Sequence, residues 1–77
     1  MNINDLVRIK EKNYMIFSKC NLYDNDYFYL IEVNNPNNKK YCKFKKKKAI
    51  FIDDICFIQE LMPLFIENVK LHYDVCR

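Results

Sequence analysis

The hydrophobic period of this chain changes once, at Asp53, and that change sets what it can fold into. Up to Ile52, apolar and polar side chains alternate in short runs, the period that places every second residue on one face of a sheet. Beyond Asp53, apolar residues recur every three or four positions, at Ile55, Ile58, Met62, Phe65, Val69 and Tyr73, which is one face of a helix. The 77 residues therefore read as a single α+β domain: a β meander over residues 1–52 and a C-terminal helical segment over residues 53–77.

Within the meander, Asp5 to Lys10 is a short alternating run, and a second run spans Tyr14 to Cys20 after a polar turn at Glu11-Lys12-Asn13. Asn21 to Asp26 supply turn chemistry. Tyr27 to Val33 is the strongest strand, since every residue but Glu32 is aromatic, aliphatic or β-branched. The Asn34-Asn35-Pro36-Asn37-Asn38 segment is expected to turn the chain. Tyr41 to Lys45 then alternates, with Cys42 and Phe44 on one face and Tyr41, Lys43 and Lys45 on the other. With Ala49 to Ile52 as a last strand, the expected architecture is a small five-stranded antiparallel meander.

Glycine is absent. Asparagine is the next best residue where a turn needs positive φ, so the asparagines are expected to fill those positions. The missing glycine also excludes dinucleotide-type and Walker-type phosphate loops, which need bare backbone close to the phosphates. In the helical segment, Asp53 or Asp54 is placed to cap the start. Pro63 removes a backbone donor from the interior and is expected to kink or break the helix. Phe57, Leu61, Leu64 and Leu71 make a second apolar row, either because a curled sheet wraps a wide helix face or because the helix also serves a dimer or partner.

A chain this short lies near the lower limit for one self-sufficient core, which keeps a homodimer through the C-terminal helix open. No apolar stretch reaches the roughly 20 residues of a spanning helix, and Met1-Asn2-Ile3-Asn4-Asp5 lacks the basic and apolar regions of a signal peptide. The expectation is a cytoplasmic protein without membrane contact, whose Cys20, Cys42, Cys56 and Cys76 stay reduced.

Residues suited to catalysis are sparse. Ser18 and His72, the one serine and one histidine, lie half a chain apart, and neither stands in a pattern that brings nucleophile, base and orienting acid together. Asp53 and Asp54 read as helix caps rather than a catalytic pair. The cysteines lack any Cys-x-x-Cys pair, and His72 with Cys76 is the one ligand-like spacing, so neither a metal nor another cofactor is expected. The chain reads as a non-enzymatic binding protein.

Its charge is segregated. Residues 1–38 carry net −1, residues 39–48 net +7 and residues 49–77 net −3, together the formal +3. Lys39, Lys40, Lys43, Lys45, Lys46, Lys47 and Lys48, interleaved with Tyr41 and Phe44, form a basic edge able to neutralise phosphates, with an outward Tyr41 available to stack on a base. Lysines also blunt exposed sheet edges against aggregation, so this run fits either reading. With Arg8 and Arg77 the only arginines, bidentate recognition of guanine is not indicated.

The opening Met1-Asn2-Ile3-Asn4-Asp5-Leu6, with Arg8, Ile9-Lys10, Lys12 and Tyr14, resembles the start of the anti-CRISPR proteins of listerial prophages that inhibit the RNA-guided DNA nuclease. The likeness continues at Leu30-Ile31, Val33-Asn34-Asn35, Asn38 and Tyr41. The resemblance implies an N-terminal helix, a three-stranded sheet and further helices, in a short phage-encoded protein that blocks a host defence by binding. Lysines stand where that family is acidic, so its DNA mimicry is not carried over. Separately, Asp5-x-Val7-x-Ile9, a polar turn and Tyr14-x-Ile16 are similar to the opening hairpin of SH3-like barrels, which implies a partly open barrel of that type and a strand where the first resemblance implies a helix. The leading expectation is an anti-defence inhibitor docking its basic edge on a host defence protein or nucleoprotein in the host cytoplasm. The alternative is a free-standing SH3-like nucleic-acid-binding module.

Overall fold

A computed structural model describes the backbone of residues 1–76 and the side chains of residues 1–66. Five strands, β1 (Leu6–Ile9), β2 (Lys12–Leu22), β3 (Asn25–Glu32), β4 (Asn35–Lys45) and β5 (Lys48–Phe51), precede one helix, α1 (Ile55–Cys76). Each strand pairs antiparallel with the next, in the spatial order β1-β2-β3-β4-β5, and the sheet curls into a half-barrel. Residues 6–9 are strand, the outcome implied by the SH3-like hairpin.

Three of the four hairpins close through two-residue turns with both residues at positive φ: Lys10 and Glu11 (51° and 68°), Tyr23 and Asp24 (53° and 63°), and Lys46 and Lys47 (51° and 67°). This is the type I′ geometry, whose twist matches that of the flanking strands. The expectation that asparagine takes these positions fails: none of the six is asparagine, and Asn4, at 76° ahead of β1, is the one asparagine at positive φ among the described residues. An L-residue other than glycine at positive φ costs on the order of 1 kcal/mol. A one-residue slip would send a whole apolar set to the wrong face, so register outweighs turn preference.

The asparagine-rich segment behaves differently. The chain reverses at Val33-Asn34, and Asn35 already pairs with Glu32 at the start of β4. The next pair is Ile31 with Lys39, leaving Pro36, Asn37 and Asn38 outside the ladder where proline cannot donate to it. Asn38 Nδ2 donates to Glu32 Oε1 at 2.8 Å across this irregularity.

Both sheet faces are apolar. Within the curl, Ile9, Tyr14, Ile16, Phe28, Leu30 and Cys42 form one buried cluster, flanked by Val7, Phe44, Ala49 and Phe51. On the opposite face, Tyr27, Leu61 and Phe65 are buried together, with Cys20, Tyr29, Tyr41 and Phe57 against them. A shift in pairing between Ile16 and Ser18 carries β2 from one cluster to the other: Ile16 lies inside the curl, whereas Ser18 lies beneath the helix. Ser18 Oγ donates to the Phe65 carbonyl at 3.1 Å in a buried site, fixing α1 to the sheet.

Asp54 caps α1, its Oδ1 accepting from the Cys56 N–H at 3.0 Å and the Phe57 N–H at 3.4 Å. Pro63 lies inside the helix and does not divide it in two. Both Pro63 and Gln59, whose carbonyl loses its donor, are exposed, so water can satisfy that carbonyl while Leu61 and Phe65 hold the other side. The helix is also rotated from the expected orientation. Phe57, Leu61 and Phe65 face the sheet, whereas Ile55 and Met62 are 70% and 41% exposed.

Candidate partner-docking surface

The structure divides the lysine run among three environments. Lys45, Lys46, Lys47 and Lys48 are all exposed at the tip of the β4–β5 hairpin, where Lys45 and Lys48 stand directly opposite each other. Like charges facing across a ladder destabilise it, and no acidic residue interrupts these four. Lys39 is exposed too but lies six residues back along β4, about 20 Å away at the rise of a strand. It terminates a cross-strand row of Leu6, Met15 and Ile31.

The remaining candidates contribute to packing. The Lys40 ammonium lies 5.8 Å from the centroid of the Phe51 ring, which Lys10 also approaches at 5.3 Å, both cation–π contacts. Tyr41 does not point outward as expected. Its ring stacks on Tyr29 at 5.0 Å with planes 10° apart and lies 5.9 Å from Phe65, so its face is already occupied. Burial raises the pKa of the Tyr41 phenol, with Tyr29 adding to the effect and Lys39 opposing it. Lys43 is half-buried beside Tyr27 and Ile50, and Phe44 packs edge-on against Phe28 at 5.5 Å.

Near the basic tip is an open cleft of ≈ 480 Å³, lined by Lys19, Asp24, Asp26, Phe28, Lys43 and Phe44 among others. Lys19 Nζ donates at 3.3 Å to both the Met1 carbonyl and Asn2 Oδ1, and Asn21 Nδ2 donates to Asp26 Oδ1 at 2.9 Å. No sequence pattern pointed to this cleft, because strand pairing assembles it from the N-terminus, the β2–β3 turn and positions on β2, β3 and β4. Its opposing charges give the basic tip an acidic neighbour.

Ser18 is used in helix docking, with its hydroxyl buried against Phe65. Burial, reinforced by Asp26, pushes the Cys20 thiol up to about 11, and burial alone pushes Cys42 up to about 12. Both are weak nucleophiles at neutral pH for that reason. The side chains of His72 and Cys76 lie outside the described residues. Among the described residues, no three His, Cys, Asp or Glu side chains are grouped to hold a metal ion, and no helix is long and apolar enough to cross a membrane. No family model, curated protein or solved structure matches the chain.

Proposed function

We propose that this is a non-enzymatic binding protein that docks its Lys45–Lys48 turn on an anionic surface of a host defence nucleoprotein, as a phage-type inhibitor. The observation carrying the reading is the four exposed lysines on one type I′ turn, with two of them directly opposed. Local folding does not require this arrangement. It opposes like charges and places lysine at two positions that Asn-Gly would fill better. A compact set of ammonium groups gives strong, non-directional attraction to phosphate or carboxylate arrays. The stacking of Tyr41 within the protein removes the base platform of a single-strand binder and favours contact by charge and position.

Capture of partners from a host lysate, with and without nuclease treatment, tests this reading. The expected result is a retained protein complex, lost when Lys45, Lys46, Lys47 and Lys48 are all replaced by Gln while the thermal midpoint is kept. Micromolar binding to bare nucleic acid with a steep salt slope would instead identify a nucleic-acid module. Unchanged capture by the quadruple variant would remove the lysines from the function.

A further inference from the structure

The half-barrel has a seam. Strands β1 and β5 are the two ends of the sheet and, among the described residues, no hydrogen bond or ladder joins them. The reason is topological. In an up-and-down meander of five strands, the first and last run parallel, so they cannot continue the antiparallel ladder with each other. One further strand, antiparallel to both, would close the sheet and remove both edges.

The pairing shows which backbone groups such a strand would meet. A two-residue type I′ turn joins a hydrogen-bonded pair, so Ile9 and Val7 bond inward to β2, whereas Arg8 and Leu6 turn their N–H and C=O outward. The Ile16 N–H donation to the Asp5 carbonyl at 2.9 Å continues the same alternation. On the other side, Lys48 and Ile50 bond inward to β4, while Ala49 and Phe51 turn outward. The Ile52 N–H donation to the Tyr41 carbonyl at 2.7 Å confirms that phase. Val7, Ile9, Ala49 and Phe51 belong to the inner apolar cluster, and Lys10 from the β1–β2 turn reaches across to Phe51. On the other face Leu6 and Ile50 are 70% and 39% exposed.

Charge selects the occupant. Arg8 on β1, Lys10 in the turn after it and Lys48 on β5 flank the seam, and Glu11 is the only acid within residues 6–11 and 48–51. We propose that the seam takes an extended acidic segment of a partner protein as a sixth strand, antiparallel to β1 and β5. Its apolar residues enter between Ile9 and Phe51, and its alternating carboxylates face Arg8 and Lys48. Backbone hydrogen bonds to Leu6, Arg8, Ala49 and Phe51 supply the pairing, and the basic rim selects acidic sequences. This surface shares only Lys48 with the lysine turn, and its backbone pairing does not depend on Lys45, Lys46 or Lys47.

The test uses the full chain and a capped nonapeptide alternating Val with Glu, followed by amide hydrogen exchange and a titration. Saturating peptide is expected to slow exchange at the Leu6, Arg8, Ala49 and Phe51 amides at least tenfold, leaving those of Ile9 and Ile50, already bonded inward, little changed. A Val-Lys counterpart should bind at least tenfold more weakly. Ala49→Pro and Arg8→Pro each remove an outward N–H without touching an inward bond, so their combination should keep the thermal midpoint within a few degrees and lose the peptide. If that variant unfolds, N-methylating alternate amides of the peptide removes its donors to the outward carbonyls of one edge and sets methyl groups against that edge, and should abolish protection there. Protection of the four amides in the free protein overturns the proposal, as does peptide binding that shifts only Lys45–Lys48. An oligonucleotide duplex that protects these amides as well as the peptide does also refutes it, because the seam would then select only for negative charge.

Discussion

The two faces of the sheet are closed by different means. Inside the curl, Ile16, Leu30 and Cys42 are fully buried by residues of the strands themselves, so this cluster forms when the hairpins pair. On the other face, Tyr27, Tyr29 and Tyr41 need Leu61 and Phe65 of the helix to cover them. The inner cluster holds the sheet together, while the outer one governs where the helix sits. Tyrosine suits the second role because its ring fills the interface and its hydroxyl can reach the margin.

The largest test of that difference is Leu30→Ala. It removes a fully buried side chain from the inner cluster and is expected to cost about 4 kcal/mol. Circular dichroism and tyrosine fluorescence should then lose their signals together in a single transition at lower denaturant. Leu61→Ala empties an equally buried site in the outer cluster, at about 3 kcal/mol. Here hydrogen exchange is expected to rise across α1 while the β2–β3 amides stay protected. Equal acceleration in both elements would mean that the two clusters form one cooperative unit.

Ser18→Ala tests the link between sheet and helix. The Phe65 carbonyl loses a buried donor, and the expected destabilisation is about 1 to 2 kcal/mol, with faster exchange in α1. Ser18→Thr, which retains the hydroxyl, should recover much of it if the added methyl fits. The smallest effect is a gain. Replacing Lys46 with Asn and Lys47 with Gly relieves positive φ at both positions and is expected to add about 1 kcal/mol without preference for either face, read as a higher thermal midpoint.

Much of the fold was legible because period is a local property. The strand pattern up to Ile52, the helix after Asp53 and the cap at Asp54 each follow from residues close together in sequence. The lysine cluster was legible as composition, but its division was not. Whether Lys40 covers Phe51 or Lys48 stands exposed at a tip depends on which strand passes beneath it. Tyr41 shows the same limit: alternation put it on the face with Lys43, and the helix then covered that face with Phe65.

The sequence by itself determined the element types, the meander and the concentration of charge, since each is carried by spacing along the chain. Tertiary structure decided which helix row is buried, that Lys46 and Lys47 rather than asparagines fill the β4–β5 turn at positive φ, and that the curl leaves β1 and β5 at an open seam. Those outcomes turn on register and burial summed over several strands, which outweigh single-residue preferences on the order of 1 kcal/mol.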